Sequence, residues 1–283
     1  MPWRLVFRIA ARKERPTPST NTKRFLAGAC ALAGLMALVA LAARSATQAP
    51  DPLTERRVRM DRLPHVMLWA WERREDLSFI DPGKQGVAVL AGTVFLSGDE
   101  VAARPRFQPL RTPPGTVLIE VVRVQVDHAR PISLSAGQRV RAAQAIEHLV
   151  RGGIAALQID FDAARSQRRF YRELLFDLRQ HLPATLPLSI TAIASWCIHD
   201  DWLATLPIDE AVPMLFRMGP DAGRVRDYLA RGGDFPLAVA RGSRGVASDE
   251  TLPHLPRGRR VYIFSPHQWS RQQAARMIAE LKP

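Results

Sequence analysis

The sequence predicts an α/β protein: an irregular (β/α)8 TIM-type barrel, preceded by one N-terminal hydrophobic helix. Three observations carry that expectation. Eight short, apolar, β-rich runs follow residue 63. Amphipathic helical stretches separate several of them, and alternating strand and helix implies a parallel sheet. A span of about 220 residues with eight strands suits a closed barrel, which commonly needs ~250 residues. An open doubly wound sheet is the alternative, but no GxGxxG or Walker-type loop supports it.

In order along the chain, residues 1–24 form a basic leader and 25–43 a hydrophobic segment. Residues 44–62, rich in Ala, Pro and Arg, read as a linker, and 63–283 as the barrel. Phe25 to Ala43 is 19 residues without a charge, long enough to cross an apolar core of ~30 Å as a helix. Lys23 and Arg24 precede it, with Arg4, Arg8, Arg12, Lys13 and Arg15 upstream, so the N-terminus is expected to stay cytoplasmic. An uncleaved anchor and a cleaved signal peptide both fit, the second because Ala40-Leu41-Ala42 offers a small-residue cleavage pattern. The expected location is therefore the periplasmic face of an inner membrane, or the periplasm itself.

The predicted strands are His65–Trp71, Gly86–Leu96, Val117–Val126, Ala155–Phe161, Leu186–Ala194, Glu210–Phe216, Phe235–Ala240 and Arg260–Phe264. The helices are Ala136–Arg151, Ser166–His181, Pro220–Arg231 and Ser270–Leu281. Gly152-Gly153 and Gly232-Gly233 stop two of them, as C-cap glycines do. Residues 97–115 contain Pro105, Pro109, Pro113 and Pro114 and no helical period, which predicts an irregular second crossover.

Composition limits the function. The net charge is +13; residues 1–43 hold seven Lys/Arg and one Glu, so nearly half of the excess orients the leader. The remainder lacks interleaved aromatics, and no nucleic-acid partner is expected. The expected partners are a glycan or cell-envelope polymer, anionic ones included, and the membrane through residues 25–43. The histidines are never closer than 13 positions, so no metal site is expected and no cofactor is called for. Cys197 is the one cysteine after residue 43, which excludes an internal disulfide there. No G-x-S-x-G elbow is present.

In a barrel the chemistry sits at the C-terminal strand ends. The fourth strand alternates with period 2, so Gln158, Asp160 and Asp162 share one face and Leu157, Ile159 and Phe161 the other. Two carboxyls at a barrel mouth, one kept protonated and one ionised, meet the requirement of general acid–base catalysis. An Asp capping the next helix, or paired with an arginine, is the structural alternative. Glu72, after Trp69 and Trp71, is a third candidate acid, though it also opens a charged surface cluster. Glu210 starts its strand and belongs to the stability face. Candidate substrate-binding residues are Trp69, Trp71, Arg123, Gln158, Ser195, Trp196, Phe216, Arg217, Arg241 and Trp269. Aromatic rings pack on sugar faces, and guanidinium groups bind carboxylates or phosphates.

The run LQIDFDAARSQRRFY, with VMLWAWERREDLSFI before it and LSITAIASWC and DEAVPMLFRMG after it, resembles an uncharacterised bacterial domain-of-unknown-function family, DUF3142, over roughly residues 63–283. That resemblance implies no activity. The aspartate-rich fourth strand is also similar to that of chitinase-type glycoside hydrolases, which ends in D-x-D-x-E. Asp160 and Asp162 match its two aspartates, with Ala164 where the acidic Glu stands. Shifted by two, Gln158, Asp160 and Asp162 fill the three positions and Asp162 would be the acid. The resemblance implies a glycoside-hydrolase-like barrel; the departure at Ala164 leaves a non-catalytic glycan- or protein-binding barrel as the alternative.

Overall fold

The computed structural model describes residues 52–251 and 256–281. The basic leader and the hydrophobic segment 25–43 lie outside them. Among the described residues no helix is long and apolar enough to cross a membrane.

The strands are β1 (Val66–Ala70), β2 (Glu75–Asp76), β3 (Gln85–Ser97), β4 (Glu100–Pro105), β5 (Leu110–Arg111), β6 (Leu118–Val126), β7 (Ala156–Asp160), β8 (Leu188–Ile193), β9 (Glu210–Met214), β10 (Ser243–Ala247) and β11 (Arg260–Phe264). Eight of them, β1, β3 and β6 to β11, are parallel, and the pairing of β1 with β3 closes the ring. The helices are α1 (Pro52–Met60), α2 (Ala136–Leu149), α3 (Arg168–His181), α4 (Ala194–His199), α5 (Ala222–Ala230), α6 (Ala238–Arg241) and α7 (Arg271–Leu281). Strands covered on both faces read as continuous apolar runs, and β1, Val-Met-Leu-Trp-Ala, is buried at all five positions.

The two faces of the wall pack separately. Leu157, Ile159, Leu188 and Ile190 point outward and join Ile146 of α2 and Leu174, Leu175 and Leu178 of α3 in the largest cluster. Met67, Trp69, Ala88, Ile119, Val121, Val212 and Tyr262 fill the interior. The interior also holds a polar ladder. Arg260 Nη1 donates to Glu210 Oε1 (2.9 Å), and Tyr262 and Ser189 hydroxyls donate to Glu210 Oε2 (2.7 and 2.8 Å). Gln158 Nε2 then donates to Ser189 Oγ (3.1 Å), and Trp69 Nε1 to Gln158 Oε1 (3.0 Å). Each rung satisfies a polar group that would otherwise cost ~1–3 kcal/mol buried alone.

Three expectations need correction. Residues 97–115 are not irregular throughout: β4 turns back antiparallel along the upper half of β3, and β5 pairs with β2. A hairpin therefore replaces the second crossover helix. Gly92 permits it, since a Cβ there would lie 2.6 Å from the Arg104 carbonyl oxygen.

The seventh barrel strand is β10, not Phe235–Ala240. Phe235 is a buried anchor in a loop. The chain then makes the single turn α6, whose Arg241 Nε donates back to the Phe235 carbonyl (2.9 Å). The strand composition Ser-Arg-Gly-Val-Ala hides β10 because its inner face must be bare. A Cβ on Gly245 would sit 3.0 Å from the Trp69 indole.

Finally, residues 52–60, read as linker, form α1. Arg59 Nε donates to Asp209 Oδ1 (2.8 Å), and the Met60 and Leu63 carbonyls accept from Arg260 Nη2 (2.6 and 3.2 Å). Polar bonds tie this segment to the barrel base beside Met60, which enters the interior cluster.

Candidate functional site

A cavity of about 420 Å³ opens at the C-terminal ends of the strands, where barrel sites are built. Its two walls differ in chemistry. One, from β6, β7 with the residues just after it, and β8, carries Arg123, Asp160, Asp162 and Thr191. The other, from β1, β9 and β11 and the residues just after them, carries Trp69, Trp71, Phe216, Arg217 and Phe264. Ile193, Met214, Met218 and Gly219 complete the lining.

On the polar wall, Asp160 Oδ1 accepts from Thr191 Oγ1 (2.6 Å). Its Oδ2 stands 3.9 Å from Arg123 Nε, and the side chain is 14% exposed. Burial and the neighbouring Asp162 charge push the Asp160 carboxyl up to about 6; the Thr191 hydrogen bond and Arg123 oppose them. Burial also raises the Asp162 carboxyl, against the pull of Arg123. The pair thus holds a proton on Asp160 at pH values where a solvated aspartate has none.

On the aromatic wall, Trp69 is wedged by its neighbours. Its ring stacks on Tyr262 (5.3 Å, 30°) and tilts against Phe216 (6.1 Å), Gly245 leaves room for it, and Gln158 holds its N–H. Phe216 and Phe264 lie parallel (5.5 Å, 4°), and Trp71 meets Phe264 edge-on (6.4 Å, 84°). Arg217 has a left-handed backbone, φ 49°, a conformation that costs a non-glycine residue ~1–3 kcal/mol. Its N–H donates to Glu250 Oε1 (2.9 Å), Nη2 donates to Asp249 Oδ2 (3.3 Å), and its guanidinium lies over Phe264, 4.9 Å from the centroid.

Asp160, Asp162, Trp69, Trp71, Arg123, Phe216 and Arg217 therefore come together as the sequence predicts. Six other predicted residues do not line the cavity. Glu72 is held by Arg104 Nη2 (2.8 Å), which β4 brings to it. Gln158 is buried beneath the cavity, as a rung of the ladder. Ser195 and Trp196 belong to α4, which starts directly at the end of β8: the Ser195 hydroxyl donates to the Asp221 carboxylate, and Trp196 points into the outer cluster. There Trp196 packs edge-on to Trp202 (5.2 Å, 72°) with the Arg168 guanidinium over it. Arg241 serves α6 at the barrel base. Trp269 backs β1 from outside, its Nε1 donating to the Trp69 carbonyl (3.0 Å).

Thr191, Ile193, Met214 and Phe264 were missed, yet a signal for them exists. The period-2 rule that singles out Asp160 on the fourth strand also puts Ser189, Thr191 and Ile193 on one face, and Tyr262 with Phe264. Cys197 is buried, and burial pushes its thiol up, so it offers no nucleophile. Among the described residues no three His, Cys, Asp or Glu groups converge on a common point.

Residues 115–215 match the family described as "Domain of unknown function (DUF3142)". That span covers β6 to β9 and hence the whole polar wall; Trp69, Trp71, Phe216 and Phe264 fall outside it. No curated protein and no solved structure matches the chain.

Proposed function

We propose that the barrel is a carbohydrate-active enzyme of the glycoside-hydrolase kind, with Asp160 as general acid and Asp162 as its ionised partner. The observation that carries the reading is a carboxyl pushed up to about 6 inside a cavity whose facing wall is aromatic. Asp160 would give its proton to the glycosidic oxygen as the bond to the anomeric carbon breaks. A water would add to that carbon, and Asp162 would take the proton that the water loses. The half-exposed Trp71 ring would offer a flat apolar face to a pyranose, above a floor made of Trp69 and the stacked Phe216–Phe264 pair. Glu72 has no part in this scheme, because Arg104 holds it away from the cavity. The basic leader and segment 25–43 support an extracytoplasmic, anchored or exported protein, and so a cell-envelope glycan.

The test is a panel of labelled glycans offered to the full chain as wild type, Asp160→Asn and Asp162→Asn. Turnover that drops about 10²–10⁴-fold in folded Asp160→Asn supports the assignment, as does wild-type kcat/KM falling as pH rises through about 6. Binding without turnover, equal in all three proteins, would instead make the barrel a glycan receptor. Silence in both assays rejects the carbohydrate reading.

A further inference from the structure

The sequence offers three arginines near strand ends as anion binders, and the structure separates them. Arg241 spends its guanidinium on the Phe235 and Pro236 carbonyls at the barrel base. Arg217 is stacked on Phe264 and bonded to Asp249. Arg123 lines the cavity, 42% exposed, and makes no hydrogen bond to any described residue; its nearest carboxylate oxygen is 3.9 Å away. A guanidinium carries five N–H donors in a planar fork that fits a carboxylate through two parallel bonds. Here that fork is unclaimed on the wall that carries Asp160 and Asp162.

We propose that Arg123 is the recognition site for a carboxylate on the substrate, and that the cavity takes a uronic-acid-type sugar rather than a neutral one. The inference rests on the carbohydrate reading above and narrows it. The charges on the wall favour a planar monoanion over a phosphate. One guanidinium, 3.9 Å from its nearest carboxylate oxygen, already faces two carboxyl groups, of which Asp162 is the ionised one, so a dianion would meet more repulsion than Arg123 could offset. The aromatic wall opposite would hold the sugar ring while its carboxylate turns to the polar side. The site thus asks for both an apolar ring face and a single in-plane negative charge, which a uronic acid combines.

The experiment offers the full chain uronic-acid oligosaccharides, the same compounds with each carboxyl reduced to hydroxymethyl, and sulfated and phosphorylated counterparts. Wild type, Arg123→Met and Arg123→Lys are compared, with thermal melting as the control for folding. The readout is the ratio of kcat/KM, or of affinity, between each acidic glycan and its reduced partner. A wild-type ratio of at least tenfold for the carboxylates is expected, collapsing toward one in Arg123→Met and partly kept in Arg123→Lys, which preserves charge without the fork. A wild-type ratio near one, or an unchanged ratio in Arg123→Met, overturns the inference and leaves the glycosidase reading standing. Preference for the sulfated or phosphorylated set overturns the carboxylate assignment. Action on none of the sets overturns both readings.

Discussion

The two ends of the barrel each hold an arginine and a carboxylate, and they use them in opposite ways. At the base, Glu210 accepts from Arg260, Tyr262 and Ser189 at 2.7–2.9 Å. Arg260 spends its remaining donors on the Met60, Leu63 and Pro64 carbonyls. At the mouth, among the described residues, Asp160 receives one hydrogen bond, from Thr191, and Arg123 stands 3.9 Å off with its donors unused. Both pairs sit on strands of one sheet, so fold alone does not separate them. Saturation does: a pair in which every guanidinium nitrogen and both carboxylate oxygens are bonded fixes structure, and an unsaturated pair keeps capacity for a ligand and for a proton. The ladder through Ser189 and Gln158 to Trp69 connects the two ends, so the closed base helps to position the floor of the open mouth.

The sharpest way to break this contrast is to cut the base. Glu210→Ala leaves the buried Arg260 without its counter-charge, and losing one partner of a buried pair costs ~3–5 kcal/mol. Equilibrium urea unfolding should show that loss, with Glu210→Gln losing less because it still accepts from Tyr262. A base variant as stable as wild type would mean that the saturated pair does not hold the fold. Next in size is Gly245→Ala. The added methyl would stand 3.0 Å from the Trp69 ring, and overpacking of this kind costs ~1–3 kcal/mol. Because the ring is cavity floor, a changed tryptophan emission and weaker glycan binding are expected beside the stability loss. Stability that falls with both of those unchanged would detach Trp69 from the site.

Gly245 also explains what the sequence hides. Barrel strands such as β1 and β11 are readable because burial on both faces demands an unbroken apolar run. β10 is not, because accommodating Trp69 removes the side chain that would mark it. α1 carries Glu55, Arg56, Arg57 and Arg59, and its attachment through Arg59 and Asp209 with the single buried Met60 leaves no apolar stripe to read. In the site, the alternation of Gln158, Asp160 and Asp162 is enough to find the two carboxyls of the polar wall, though not Thr191. Glu72 misled because its partner Arg104 arrives on a hairpin that a proline-rich stretch conceals. Trp196 and Trp269 show that nearness to a strand end does not give inward direction: the first lies in α4 and the second in the loop before α7, so the path of the chain after the strand turns both outward.

At the mouth the same kind of substitution should act in the opposite sense. The Asp160 carboxyl ionises near 3.8 when solvated and about 6 in the fold. Between those values the native state binds more protons than the unfolded chain, so unfolding free energy falls as pH rises. The accumulated cost is on the order of 3 kcal/mol above pH 6, and absent below pH 4. Asp160→Asn removes that cost and weakens the Thr191 bond, worth ~1 kcal/mol. It should therefore be about 1–2 kcal/mol more stable than wild type at pH 7, and slightly less stable at pH 4. Urea titrations at the two values check this; a difference independent of pH would mean that Asp160 is not held protonated by its surroundings.

The smallest effect sharpens the comparison most, because it isolates one cause. Asp162 contributes to the raised Asp160 pKa through its negative charge, second only to burial. Asp162→Asn deletes that charge and leaves the burial of Asp160, Thr191 and Arg123 in place. The Asp160 pKa should then fall below its wild-type value while staying above 3.8, since desolvation is the larger cause. Carbon-detected NMR of the side-chain carboxyl reads that shift directly, without any substrate. An Asp160 pKa unmoved in Asp162→Asn would show that the two carboxyls do not sense each other, and Asp160 would then be a buried acid raised by its environment alone. A downward shift makes them one coupled pair, in which ionisation of Asp162 keeps the proton on Asp160, the arrangement that acid–base chemistry at a single strand end requires.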